Sequence, residues 1–414
     1  MKCNKWTLAL IGAGLVSVPA VMHADESTNS VMSALSATTI SGYVDTSAEW
    51  NFGTGNANLP PYAFGGPSKA DGFNLDVVKL TIAKDVVPSD VWGAGYKVDM
   101  LMGPDANTFN TASFFGGTKA ANGDFAVKQA YVALHAPVGN GLDFKLGVWD
   151  TIIGYEVFEA GNNPNFTRSY GYTMEPTTHT GLLGTYQLCD AVSMSFGVAD
   201  TFGPSINERA QGPNLGTTTK AESYKTYMGA VTFTAPTNMS FLAGSTLTAC
   251  VINGYNSAVA GPNGSVGANE TSYYVGATIN TPLSWLKVGL AFDDLDVGPL
   301  SGENWCVGAY VSAQATEKLS FYARGEYLKN RGDQKLFVNG AGAPTAPDEV
   351  MELTLTAQYD LWKNVMSRLE LRWDHSLTDQ GVWGGTSANG SNEGVNEGHL
   401  DNSVMLALNI IYKF

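Results

Sequence analysis

The stretch that most restricts what this chain can become is its last, SVMLALNIIYKF, from Ser403 to Phe414. Val404, Leu406, Leu408, Ile410, Tyr412 and Phe414 fall on one face of an extended strand. Ser403, Met405, Ala407, Asn409, Ile411 and Lys413 fall on the other. Alternation with a period of two is strand periodicity, because successive side chains point to opposite faces. A soluble sandwich can bury such a strand, but it rarely keeps a final aromatic residue within the pattern. A strand with one face in lipid accounts for all of it. Lipid-facing and lumen-facing residues must alternate there, and aromatics collect where hydrocarbon meets water.

The segment resembles the closing strand of bacterial outer-membrane proteins. That resemblance implies that Tyr412 and Phe414 carry the signal read by the barrel-assembly machinery. The opposite end fits export. Lys2 and Lys5 precede an apolar run, Trp6 to Val18, too short to span a membrane as a helix, and Ala20 and Ala24 offer small residues for cleavage. Residues 1–24 therefore read as a secretory signal peptide, 25–38 as a periplasmic lead-in and 39–414 as the membrane-spanning domain. Cys3 lies before the apolar run and is not positioned as the lipidated cysteine of a lipoprotein. No later run of eighteen apolar residues suits a transmembrane helix, so the exported protein is either soluble outside the cytoplasm or enters a membrane as strands.

Composition narrows the class further. The 47 glycines and the 15% of charged residues, with many aromatics, suit a chain of many strands and turns. Mean hydropathy of −0.05 fits a barrel whose polar lumen cancels its apolar exterior. A net charge of −15 argues against nucleic acid, because phosphate binding needs a basic footprint. The acidity reads as solubility of long external loops, with divalent-cation binding at a cell surface as the lesser alternative. Cys189, Cys250 and Cys306 are scattered, which suits neither a disulfide framework nor a metal or catalytic cysteine site. Cys250 and Cys306 read as small strand residues.

The connections set the architecture. Strand-like segments begin with Thr39 to Phe52 and Phe73 to Lys84, and long and short connections alternate along the chain. Short ones include Pro137 to Gly141, Cys189-Asp190-Ala191, Ala235 to Asn238 and Ala315-Thr316-Glu317. Long loops outside and tight turns inside are the habit of outer-membrane barrels. About sixteen strands (14–18) at roughly 23 residues per strand and connection suit tilted membrane-crossing strands. The expected fold is all-β, an antiparallel up-and-down barrel whose closure satisfies every backbone group in lipid. A soluble propeller would repeat a blade motif every forty to fifty residues, and none recurs.

A barrel of this size holds water, so function depends on what narrows it. The third external loop, Thr151 to Thr178, is the longest and is rich in aromatics for a connection facing water. It carries Tyr155, Glu156, Phe158, Glu159, Arg168, Tyr170, Tyr172 and Glu175. Such a loop is expected to pack on the lumen wall as a constriction; the alternative is a loop folded over the rim or against a neighbouring subunit. The block VKQAYVALHAPVGNGLDFKLGVWDTIIGYEVFE, Val127 to Glu159, with NFTRSYGYTMEPTTHTG up to Gly181, resembles the OmpL-like family of bacterial outer-membrane β-barrel porins. The resemblance implies a porin but supplies no list of functional residues.

Charges on the inferred lumen faces are Lys97, Asp99, Lys128, Lys145, Lys287, Arg324, Glu326, Arg368, Glu370, Arg372 and Asp374. At membrane depth such charges face a water-filled lumen, where they tune ion selectivity. One expectation sets Arg324, Arg368 and Arg372 opposite Glu156 and Glu159 in a transverse field; the other makes the charges a neutralising ladder of salt bridges. Enzymatic signals are weak. The histidines show no metal spacing, no GxSxG elbow occurs, and His179 near Glu175 reads as a hydrogen-bonded rim pair. Asp293, Asp294 and Asp296 with Glu303 read as solvated acids of a turn rather than a calcium loop. No cofactor and no catalytic or metal-binding residue is expected. The reading is a passive porin for ions and small hydrophilic solutes, set in outer-membrane lipid, with a homotrimer suggested by fold analogy. A sugar-specific channel would need a row of lumen aromatics, and Tyr43, Tyr274, Tyr310 and Tyr322 are few for that. A surface adhesin or structural barrel is the third class.

Overall fold

The computed structural model describes residues 37–53, 55–86, 90–109, 124–210, 224–255, 259–261, 264–266, 269–298, 302–332, 346–378, 381–387 and 398–414. The expected signal peptide and nearly all of the lead-in lie outside the described residues. The first strands are β1 (Thr39–Phe52), β2 (Gly72–Lys84), β3 (Gly93–Met102), β4 (Phe125–Ala136) and β5 (Leu142–Asp150). A short helix, α1 (Tyr170–Met174), precedes β6 (Thr178–Cys189), β7 (Val192–Ala199), β8 (Thr226–Thr234) and β9 (Thr246–Tyr255). A small separate hairpin, β10 (Val259–Gly261) with β11 (Gly264–Val266), interrupts the series. The barrel resumes with β12 (Asn269–Asn280), β13 (Leu286–Val297), β14 (Gly302–Gln314) and β15 (Leu319–Gly332). It ends with β16 (Glu349–Trp362), β17 (Val365–Ser376) and β18 (Asn402–Lys413).

Sixteen of these strands form one closed antiparallel barrel, in which each pairs with its neighbours along the chain. The closing strand shuts it. β18 pairs with β1 in a register that sets Tyr43 opposite Lys413 and Trp50 opposite Leu406. Closure leaves no unpaired edge, which is the condition for strands to sit in hydrocarbon. Alternation fixes what each face meets. Leu353 and Leu355 of β16, Leu369 and Leu371 of β17, and Leu408 and Ile410 of β18 are exposed on the outside, while their sequence neighbours are buried. Aromatics border this apolar band at both ends. Trp92, Trp285, Trp362 and Tyr412 mark the end with the short turns, and Phe52, Phe73, Phe125 and Tyr227 the end with the long loops.

One expectation about a turn is corrected. The acids at 293–296 lie within β13, which continues to Val297, and Asp293 points inward and is buried. The alternation continues through Phe292, Asp293 and Leu295 and carries the strand past the acidic run.

Candidate functional site

The site is the lumen, and its central object is the loop 151–177 between β5 and β6, here L3. A loop placed inside a barrel must find partners for its peptide groups, since an unpaired buried amide or carbonyl costs about 1–3 kcal/mol. The wall supplies them as charged side chains. Glu370 of β17 accepts from the amides of Phe166 (2.5 Å) and Thr167 (2.9 Å) and from the Thr167 hydroxyl (2.6 Å). Glu326 of β15 accepts from the amides of Tyr170 (2.9 Å) and Gly171 (3.3 Å). Glu156, within the loop itself, accepts from the Ser169 amide at 2.8 Å.

Guanidinium groups serve the carbonyls. Arg324 of β15 donates to Thr167 O at 2.7 Å, Arg372 of β17 to Arg168 O at 2.7 Å and Arg368 of β17 to Ala160 O at 2.9 Å. Arg168 turns back on its own loop and donates to Phe166 O at 2.6 Å and to Phe158 O. The loop is thus clamped by arginines and carboxylates from β15 and β17, and Asn165 adds a bond to Thr356 of β16 at 2.7 Å. Ser169 caps α1 by accepting from the Tyr172 amide at 2.9 Å.

The charged clamps are bonded directly to one another. Arg324 Nη1 lies 2.8 Å from Glu156 and Nη2 3.2 Å from Glu352, and the Arg324, Glu156 and Glu352 side chains are all fully buried. Arg372 holds Asp374 through two nitrogens at 2.9 Å, and Tyr170 donates to Asp374 at 2.9 Å. Glu159 meets Lys79 of β2, and Lys128 of β4 at 3.2 Å. Because these two lysines flank it, the Glu159 carboxyl is held well below the ordinary carboxylate range despite burial. Of the expected pairings between these arginines and the two loop glutamates, the structure brings together Arg324 and Glu156. Arg324 touches Glu156, Arg368 and Arg372 serve loop carbonyls, and Glu159 belongs to the lysines on the other side.

The remaining wall is largely apolar. Trp149, Ile153, Tyr170, Met174, Leu183, Ile252, Tyr274 and Tyr310 form one buried cluster across β5 to β14. Tyr155 stacks on Tyr310 with ring centres 4.1 Å apart. The first loop, 53–71, folds over L3. Phe64 packs on Phe158 and Tyr172, Tyr62 lies under the Arg372 guanidinium, and the Ala63 amide donates to Thr173 at 2.9 Å.

The family profile described as "Putative beta-barrel porin-2, OmpL-like" matches residues 37–414. The chain belongs to the OmpL-like β-barrel porin family. Solved structures agree in fold. The outer-membrane channel DcaP of Acinetobacter baumannii superposes with a TM-score of 0.54 at 13% identity, covering 91% of this chain and 97% of that one. The anion-selective porin of Comamonas acidovorans gives 0.54 at 12%, covering 91% and 99%. OmpT of Vibrio cholerae in its trimer form gives 0.52 at 13%, covering 91% and 99%. No protein of curated function matches the sequence. The chain is an outer-membrane porin.

In this OmpL-like porin the expected lumen charges divide by place. Arg324, Glu326, Arg368, Glu370, Arg372 and Asp374 contact L3, which itself contributes Tyr155, Glu156, Phe158, Arg168, Tyr170 and Tyr172. Lys97, Asp99 and Lys128 form a second cluster with Lys79, Glu159 and Asp150. Lys145 and Lys287 stand outside both, nearer the short turns. Glu175 and His179 are not a pair. His179 is buried beside Trp149, with its Nε2 3.2 Å from Thr151 Oγ1. Glu175 is hydrogen-bonded to the Asp293 carboxyl, and burial followed by that neighbouring charge pushes its own carboxyl well above the ordinary range. Sequence reasoning missed Lys79, Glu352 and Asn409, although each alternates with outward apolar residues and was within reach of that signal. Tyr62 and Phe64 had no such signal, since a Gly/Pro/Asn-rich loop has no period to read.

Proposed function

We propose that this porin passes ions and small hydrophilic solutes by diffusion, with L3 as the constriction that sets the limiting size. The observation that carries the reading is the clamping of L3 backbone groups by wall arginines and carboxylates. A loop held at both its amides and its carbonyls keeps a fixed cross-section, which a size filter needs. Diffusion requires no bound cofactor and no chemical step. Export through the 1–24 leader, insertion by the barrel-assembly machinery through Tyr412 and Phe414, and a homotrimer in outer-membrane lipid complete the proposal. The trimeric form of the similarly folded OmpT supports the last.

The test is single-channel recording of purified protein in a planar bilayer, with a liposome-swelling series of neutral solutes of increasing size. Discrete steps and a sharp size cut-off are expected. A folded, inserted barrel that passes neither current nor solute would end the reading.

A further inference from the structure

At the level of L3 the wall from β6 to β14 is largely apolar, but towards the short turns its inward face changes character. Thr185, Ser195, Thr232, Thr248 and Thr278, on β6, β7, β8, β9 and β12, turn hydroxyl side chains into the lumen. Two cross-strand pairs bond to each other there, Thr232 with Thr248 at 2.9 Å and Thr185 with Ser195 at 3.4 Å. β13 to β15 continue the pattern with Lys287, Ser312, Gln314, Ser320 and Tyr322, which share the inward face of Asp293, Tyr310 and Arg324. Lys287 is the one charged side chain on this stretch of the described strands. The opposite side, β2 to β5, carries Lys79, Lys97, Asp99 and Lys145.

A cavity of about 550 Å³ lies on β13 to β15, lined by Lys287, Ser312, Gln314, Ser320 and Tyr322, with Trp285 at its rim. Register sets the arrangement. Ser312 stands between Lys287 and Tyr322 on the flanking strands, two residues on from Tyr310, whose ring carries Tyr155 of L3. The Ser312, Ser320 and Tyr322 hydroxyls and the Lys287 ammonium have no hydrogen-bond or ion-pair partner among the described residues. Ser320 is 5% exposed, and a buried hydroxyl without a partner in the protein gains from one in a ligand. The cross-strand neighbours of Lys287 are Asn280 and Ser312, both neutral.

We propose that this cavity is a binding site for neutral polyhydroxylated solutes of sugar size. A sugar hydroxyl both donates and accepts, as do the Ser312, Ser320 and Tyr322 hydroxyls and the Gln314 amide, so each can pair whichever way it meets the solute. The Lys287 ammonium donates to a hydroxyl or ring oxygen, and the Tyr322 ring offers an apolar face to the carbon skeleton. A cation meets only Lys287 and is repelled by it. Recognition of this kind works through hydroxyl and amide groups and needs no row of aromatics. The site rests on the channel reading and deepens it: among small hydrophilic solutes it singles out sugars and polyols.

In planar bilayers, glucose added on the short-turn side should lower the ion current saturably, because a bound solute occupies part of the lumen. Triethylene glycol dimethyl ether, close to glucose in mass but without a hydroxyl group, should lower it only in proportion to its concentration. The variant Ser312→Ala/Ser320→Ala/Tyr322→Phe deletes three hydroxyls and should raise the half-saturating glucose concentration about tenfold. Discrete steps from the variant in sugar-free salt establish that it has folded and inserted. Where it gives none, Tyr322→Phe alone serves, with a rise of about threefold expected. A parent current that falls only in proportion to glucose, saturation by the ether, or equal half-saturation in parent and variant would overturn the site. Failure of the channel reading looks different, since the parent would then give no steps. Saturation-transfer NMR of glucose with the detergent-solubilised barrel decides the site in that case. Transfer from the parent that the variant loses upholds it, and equal transfer, or none from the parent, refutes it.

Discussion

The lumen has two walls of different chemistry around one loop. From β15 through β18 and on to β4, the inward residues include arginines, lysines and carboxylates joined by ion pairs, set among apolar residues such as Leu101, Leu328, Met405 and Ile411. From β6 to β14 the buried cluster is chiefly apolar, with Leu183, Met228, Ile252, Tyr274 and Tyr310 among its members. Both walls bury L3, but they hold it differently. A hydrophobic contact stabilises in proportion to area and tolerates sliding. A carboxylate facing two successive amides does not, because bond strength falls steeply with angle. The charged wall therefore fixes where the loop lies, and the apolar wall contributes to how firmly it stays.

The comparison breaks most severely at Arg324. Replacing it by alanine leaves Glu156, Glu352 and Glu326 buried without their shared cation, and stripping one partner from a buried pair costs about 3–5 kcal/mol. Arg324→Ala should lower the urea midpoint of the refolded barrel by a corresponding amount and give larger, noisier current steps. A variant as stable as the parent, with unchanged steps, would mean the clamp is dispensable. Glu370→Gln should cost less, about 1.5–3 kcal/mol for weakened bonds to a charged acceptor, since the amide presents a donor to the Phe166 or Thr167 amide. Its conductance should again rise. On the apolar wall, Ile252→Val removes one buried methylene and should cost about 0.5–1.5 kcal/mol. Here stability should fall while the step size stays fixed. Altered steps from this substitution would erase the distinction between the two walls.

How far the sequence showed this depends on the same difference. Strand alternation is local, so the closed barrel, its closing strand and the inward direction of Lys97, Arg324 and Arg372 could be read from period two alone. Partner choice is not local. Arg324 and Glu156 are 168 positions apart, and no spacing rule tells a reader that they touch while Glu159 turns to Lys79 and Lys128. Phe64 and Tyr62 cover L3 from a loop whose composition suggests only turns. The acids at 293–296 misled for another reason: an acidic run reads as a turn unless the apolar residues between are followed through it.

The smallest effect at neutral pH separates the walls by titration. Glu175, at the end of L3, meets Asp293 within the apolar wall, and the other groups acting on the Glu175 carboxyl there are the acids Glu156 and Glu326. With its folded pKa raised above the unfolded value, Glu175 binds its proton more tightly when the barrel is intact. Its contribution is therefore complete below the ordinary carboxylate range and is lost as pH rises through the folded pKa. Glu159, held down by lysines, has the opposite sign: its contribution is complete above the ordinary range and fades only as pH falls through the lowered value. Raising the pH through the elevated Glu175 pKa should thus loosen the α1 end of L3 and leave the Glu159 end in place. Glu175→Gln should remove that loss, since an amide has no proton to release. Unfolding midpoints across the pH range for parent and variant would check it, and curves that stay parallel throughout would show that the acid pair does not govern this end of the loop.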